Sequence, residues 1–276
     1  MSIHHSLTRR QSMAAVGGAA LLLTTVGLGA APAHARGAYP SRPVTLVADA
    51  PPGSPLDILA RLIASVLDTT LGQRFVVENK AGASRNLAAD YVAQSKADGY
   101  TVLFDIDTTF TVNPHLYRKM TFKPNDLKPV MILASSGLMI CVNPKTGIKT
   151  MDELVKAAKT RTLNFGSGGI GSPGHLVMAE FDQVTQTKLN HIPYGGNTPA
   201  VAAIVSGEVD GGVLATAGML PYVRDGKITA LAVTSAQRSR LAPTLPTVKE
   251  AGYQDLQQEV LFVTMLPAAT PDAAVQ

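Results

Sequence analysis

From residue 43 onward, short apolar runs alternate with longer amphipathic ones. "PVTLVADA" (43–50) is compact, apolar and rich in β-branched residues, which predicts a strand, and "PPGSP" breaks it. In "LDILARLIASVLDTTLG" (56–72), Leu56, Leu59, Ile63, Val66 and Leu67 form one helical stripe and Gly72 supplies the stop. "RFVVENK" (74–80) predicts a second strand, "AGASRN" (81–86) a loop and "LAADYVAQS" (87–95) a helix. "DGYTVLFDI" (98–106) predicts a third strand, entered through an Asp-Gly turn. Repeated strand, loop and helix argue for a parallel sheet in an α/β layer.

"VMILASSGLMICVNP" (130–144) is a long β-rich run with a Ser-Ser-Gly interruption, after which the rhythm restarts. Helices are expected over 151–159, 174–186, 200–207 and 219–226, with strands over 162–166, 189–194, 209–215 and 228–235. A second α/β unit therefore spans 137–260. The final "EVLFVTMLPAATPDAAVQ" runs as a strand into a helix start, with Thr270 as cap, Pro271 at the first helical position and Asp272 in the first turn. No tandem repeat and no low-complexity linker separates the units. Joined by extended strands, they predict a hinge and a cleft.

Composition narrows the function classes. Of 276 residues, 46% are hydrophobic and 16% charged, enough for sizeable cores and unlike a disordered chain. The formal net charge is +4, and two of those charges are Arg9 and Arg10 in a stretch, 1–35, without Asp or Glu. With about +2 left beyond it and no basic block interleaved with aromatics, nucleic acid is not an expected partner. "TRRQSM", the Gly- and Ala-rich apolar run 13–31 and "AHA" (33–35) read as an export signal, of twin-arginine character and cut after Ala35. The competing reading, a membrane anchor, fits the high Gly content and the placed cleavage signal less well. The mature chain is expected in the periplasm. Cys141 is the single cysteine and sits in "LMICV", a core position, so no disulfide is expected. His115, His175 and His191 share no ligand spacing, so neither metal nor cofactor is expected.

"LNFGSGGIGSPGHL" (163–176) poses the main chemical question. Gly166, Gly168 and Gly171 fit G-x-G-x-x-G, but the next strand, "LNHIPY", ends without the acidic residue that would hold a ribose. Anion-site physics remains. The glycines let backbone N–H groups approach closely, Ser167 and Ser172 add hydroxyls, and the free N–H groups of the following helix, at whose first turn His175 lies, favour negative charge. A plain turn with Ser172 as helix cap explains the local sequence equally well.

Three further loops share this character. "APPGSPLD" offers Pro52, Gly53, Ser54 and Asp57; "DIDTTFTVNP" offers Asp107, Thr108 and Thr109; "PYGGNTPA" offers Tyr194 and Asn197 around Gly195 and Gly196. Ligands of open α/β sheets sit beyond the carboxyl ends of the strands, where all four loops belong. Together with Ser167, Gly168, Ser172 and His175, these are the candidate binding residues for one small ligand held between two lobes. The rival reading is an exported hydrolase using Ser172, or Ser167, with His175. Against it, the G-x-S-x-G elbow is not cleanly present and no third triad member suggests itself.

"YPSRPVTLV" with "APPGSPLD", "GQRFVVENKAGASRNLAADYVAQSKADGYTVLF", "NPHLY", "LNFGSGGIGSPGHL", "HIPYGGNTPAVAAIVSGEVD" and "ITALAVTSAQRSRLAPTLPTVKEAGY" together resemble the substrate-binding receptors of tripartite tricarboxylate transporters, or Bug-type receptors. The likeness covers nearly the whole mature chain in order. It implies a two-lobed periplasmic binding protein of the type II class. The first lobe would be 36–136, completed by 261–276 and by a tail beyond Gln276, and the second 137–260. It implies a monomeric receptor rather than an enzyme, taking a small carboxylate and delivering it to a membrane permease.

Some positions depart from the family pattern. Asp49 and Pro52 stand where an aromatic and a glycine are usual, Ser84 and Arg85 replace two glycines, and Leu214-Ala215 replace Asp-Asn. Asp49, Asp105 and Asp107 would gather at neighbouring strand ends and repel an anion unless a cation intervenes. Arg85 is one such cation, and a nitrogen on the ligand is another. Alternation along the strands, turning some aspartates away from the cleft, is the third reading.

Overall fold

The computed structural model describes residues 39–275, so the expected export signal over 1–35 lies outside the described residues. The first half holds β1 (Val44–Ala48), α1 (Pro55–Leu71), β2 (Phe75–Asn79), α2 (Asn86–Ala93), β3 (Thr101–Ile106), α3 (Thr108–Thr111) and α4 (Asn113–Leu116). β4 (Leu127–Val142) leads to α5 (Met151–Thr160), β5 (Asn164–Ser167), α6 (Pro173–Thr185) and β6 (Asn190–Pro193). Then come α7 (Asn197–Ser206), β7 (Gly211–Ala215), α8 (Thr216–Arg224), β8 (Thr229–Val233), β9 (Glu259–Pro267) and α9 (Asp272–Val275). Among the described residues no helix is long and apolar enough to cross a membrane.

The sheet follows the order β2-β1-β3-β9-β4-β7-β5-β6, with β8 on β4. β1 is parallel to β2 and β3, and β5 is parallel to β6 and β7, as the strand–helix rhythm requires. The strands between these parallel blocks are antiparallel. β4 pairs with β9 from Leu127↔Pro267 to Gly137↔Glu259, then with β7 from Leu138↔Ala215 to Val142↔Gly211. The expected Ser-Ser-Gly interruption does not break this strand. It is where β4 changes partner. A Cβ at Gly137 would stand 2.7 Å from the Ser235 backbone, so the close approach there requires glycine.

Helices cover both faces. Alternation along β4 sends Leu138, Ile140 and Val142 into one core with residues of α1, α5 and α6, and Met139 and Cys141 into another with α7 and α8. Burial pushes the Cys141 thiol up to about 12, which leaves it an unreactive core group. The stripe on α1 is corrected at one position. Leu56, Ala60 and Ala64 are buried with Leu59, Ile63 and Leu67 beside them, but Val66 is exposed, because it falls off the 3.6-residue line through those positions. The stretch after β3, read from sequence as a loop, folds into the short helices α3 and α4.

The start of α6 is pressed onto β7. A Cβ on Gly174 would lie 2.1 Å from the carbonyl oxygen of Val213, a contact neither backbone can relieve cheaply. Gly174→Ala is therefore expected to lower unfolding stability by at least ~1–3 kcal/mol, as overpacking does. Gly195→Ala, where the space is open, should stay within about 0.5 kcal/mol. Urea titration of both variants checks this; equal stabilities would show that the contact is soft.

Candidate functional site

The loops converge on a cavity of about 380 Å³, within the range of about 300–1,000 Å³ for small-molecule sites. One side is formed by the β1–α1 loop with Asp49, Pro51 and Ser54, and by 82–85 ahead of α2. The other is formed by the β5–α6 loop from Gly168 to Gly174, the β6–α7 loop from Pro193 to Asn197, and 213–215 of β7. Ile106, Leu138, Val260 and Phe262 supply an apolar floor from β3, β4 and β9.

Five helices begin at this cavity, α2 and α8 directly after the lining residues Arg85 and Ala215, and α1, α6 and α7 after Ser54, Ser172 and Gly196. Ser54 caps α1 by accepting from the Asp57 amide at 3.2 Å, and Ser172 caps α6 by accepting from the His175 amide at 3.3 Å. α7 starts after Gly196 with no side-chain cap, so its first N–H groups are not taken by a capping side chain.

Of the residues expected from sequence, Ser54, Gly168, Ser172, Tyr194 and Asn197 line the cavity. The others do not, each for a local reason. Pro52 and Gly53 are exposed on the turn, and Pro51 faces the cavity instead. Asp57, in the first turn of α1, is buried and held by the Gly53 amide at 2.9 Å, the Asn79 amide group at 2.9 Å and Arg61. Burial works against its charge, but these donors outweigh it and keep the carboxyl below the ordinary range. Asp107 accepts from the Leu261 amide at 3.2 Å, Thr109 donates to Asp105 at 2.7 Å, and Thr108 is buried.

Ser167 is fully buried. Its Oγ lies 2.6 Å from His191 Nε2 and bonds both the amide and the carbonyl of Gly169, so it shapes the glycine loop from behind. His175 stacks on His191 with ring centroids 4.1 Å apart, and its Nδ1 accepts from the Gly171 amide. The Ser172 hydroxyl meets the backbone of His175 and not its ring. The floor escaped sequence reading. Val260 and Phe262 are two apart on one strand, a period-two signal that becomes readable only once β9 is known to border the cleft.

The charged group of the site is Asp49, Asp105 and Arg85. Asp49 Oδ2 stands 3.0 Å from Arg85 Nε. Asp105, fully buried behind it, accepts from the Ile106 amide and from Thr109 through Oδ1, while Oδ2 has no conventional donor among the described residues. Burial first, and the neighbouring Asp49 carboxylate second, push Asp105 well above the ordinary range, and burial raises Asp49 as well. Two carboxyls this close and this buried disfavour being ionised together, and Arg85 is the cation beside them. Ala83, Ser84 and Arg85 carry φ of 45°, 52° and 76°, three consecutive left-handed residues without a glycine. Asn113 donates to the Ser84 carbonyl at 2.8 Å, and the Tyr117 hydroxyl reaches both Ser84 and the Ile170 carbonyl across the cavity. Among the described residues no three His, Cys, Asp or Glu side chains stand at metal-binding spacing.

Comparison with known proteins agrees with this geometry. The family model described as tripartite tricarboxylate transporter family receptor matches residues 59–276. Protein BugT of Bordetella pertussis is 34% identical over 254 residues, 91% of this chain and 77% of that protein. An R. palustris protein solved with adipate superposes with a TM-score of 0.83 at 34% identity, covering 86% of this chain and 80% of that one. MatC from Rhodopseudomonas palustris, solved with bound malate, gives 0.81 at 29% identity, over 86% and 82% of the two chains. These structural neighbours have the two-lobed architecture of periplasmic binding proteins.

Two pH effects of opposite sign follow. Burial and the stacked His175 push His191 down to about 4, while the unfolded chain takes up that proton near 6.5. Its contribution to stability is therefore complete above about 6.5 and is lost as pH falls toward 4. His191→Gln should make the loss of thermal stability between pH 7 and pH 5 smaller; an unchanged loss would mean that the ring is not the sensor. Asp105 keeps a proton that the unfolded chain releases near 3.9, so its contribution declines as pH rises from there through the raised value. Asp105→Asn, which preserves the acceptor and donates toward Asp49, should unfold at the same or a higher temperature at pH 8. A clear drop would show that the carboxylate is needed ionised.

Proposed function

We propose that this chain, which belongs to the tripartite tricarboxylate transporter receptor family, captures a small organic acid in its cleft and hands it to a membrane permease. The lobes in this reading are 36–136 with 261–276, and 137–260, closing on the ligand. Residues 1–35 serve as an export signal of twin-arginine type, cut after Ala35, and the mature receptor works in the periplasm as a monomer.

One observation carries the reading: the N-termini of α1, α6 and α7, together with Arg85, face a single cavity. Helix N-termini favour an anion by about 0.3–1 kcal/mol each at the surface and up to ~2 kcal/mol when partly buried. Hydrogen bonds to a charged group add roughly 1.5–3 kcal/mol. A micromolar ligand needs about −8 kcal/mol in all, which such a set of donors supplies without a metal. Adipate and malate in the two R. palustris structures are ligands of that chemistry. Because Arg85 already balances Asp49, and Asp107 does not line the cavity, the ligand has no need of a nitrogen of its own. A hydrolase reading has less support, since the Ser172 hydroxyl is spent on capping α6.

The test is thermal unfolding of the purified chain against monocarboxylates, dicarboxylates, tricarboxylates, aromatic acids and amino acids. An acid present at a hundred times its Kd should stabilise the protein by about 2.7 kcal/mol. A folded protein that responds to no carboxylate at millimolar concentration would sink the receptor reading.

A further inference from the structure

We propose that Arg85 is the anchor for the ligand's carboxylate, and that the cleft selects an acid with an apolar body over a compact tricarboxylate. This rests on the receptor reading above. Arg85 is the one cationic side chain among the residues lining the cavity. Its Nε forms an ion pair with Asp49 at 3.0 Å, and no hydrogen bond or ion pair engages Nη1 or Nη2 among the described residues. Nη2 lies beside the glycine loop, 3.6 Å from where a Cβ of Gly168 would stand. The unengaged edge of the guanidinium therefore sits where the two sides of the cavity meet. A planar fork with N–H groups to spare matches a carboxylate.

The backbone supports the assignment. Ser84 and Arg85 occupy left-handed conformations that glycine would adopt without strain. Such strain persists where the surroundings enforce it, and it clusters at functional positions. Here Asn113 and Tyr117 hold the segment in place. Arg85 stands 3.0 Å from Asp49 and offsets its charge, and Asp105 is fully buried and is not among the residues lining the cavity.

The remaining walls define the rest of the ligand. Leu138, Val260, Phe262, Leu214 and Ile170 line the cavity, and among the described residues no second cation joins Arg85 there. One carboxylate meets the guanidinium, and an aliphatic or aromatic body covers this surface. The further carboxylates of citrate would be desolvated with no cation to meet them.

Isothermal titration of the purified chain with hexanoate, benzoate, adipate and citrate tests both parts, alongside Arg85→Gly and Arg85→Gln. At least one of the first three acids is expected to bind more tightly than citrate. Both variants should weaken that acid at least tenfold. Arg85→Gly should retain a cooperative unfolding transition, since glycine suits the backbone, and Arg85→Gln covers the case in which it does not fold. If citrate binds more tightly than all three, the ligand class is wrong. If a variant keeps affinity within twofold, Arg85 is not the anchor, although the receptor reading stands. If the wild-type chain binds no acid, the receptor reading fails, and this inference with it.

Discussion

Thr234 sits where strand β4 changes partners, and the arrangement of the cleft depends on it. Its hydroxyl accepts from the Leu138 amide at 2.8 Å and donates to the Gln258 carbonyl at 2.6 Å, while its backbone bonds Leu138 and Gln258 as well. A buried strand cannot leave its amides unpaired. As β4 leaves β9 and joins β7 and β8, a side chain must fill the gap in the ladder. Thr234, fully buried, fills it. The Thr216 hydroxyl satisfies the Gly137 carbonyl one residue earlier. The two segments that pass between the half-sheets are thus bound side by side, and the cavity floor of Leu138, Val260 and Phe262 lies over this crossing.

Above the floor, the chemistry is set by burial as much as by residue type. Asp49 and Asp105 would be ordinary carboxylates in water. Buried side by side behind the cleft they disfavour being ionised together, and the Arg85 guanidinium stands against Asp49 to offset its charge. The Ser167–His191 contact has a similar lesson. A serine hydroxyl 2.6 Å from an imidazole suggests a nucleophile and its base, yet Ser167 has no exposed surface and bonds both ends of Gly169. The pair is part of the scaffold of the glycine loop, which presents its backbone to the cavity.

The order of strands and helices could be read from the sequence because hydrophobic periodicity is local. Strands near 44–48, 75–79 and 101–106, the amphipathic α1 and the Ser172 cap all follow from spacings of two to four residues. The loop chemistry could be read for the same reason, since glycine, serine and proline between a strand and a helix imply a helix N-terminus. The departures at Asp49 and Arg85 were visible only against the pattern of the family that the other motifs resemble.

Tertiary structure decided what spacing cannot encode. That β4 is one continuous strand serving two half-sheets depends on β7, β8 and β9, which lie far along the chain. That Arg85 pairs with Asp49 follows from a loop and a strand end brought together only by parallel pairing of β1 with β2. Asp57, Asp107 and Thr109 looked like ligand groups in sequence, but each is consumed by a neighbour that folding supplies: Arg61 and Asn79, the Leu261 amide, and Asp105. The sequence alone determined which groups could donate, accept or carry charge, because that is a property of residue type. The fold decided which of them were left free to face a ligand, because hydrogen-bond capacity is spent on whatever long-range contacts bring nearest.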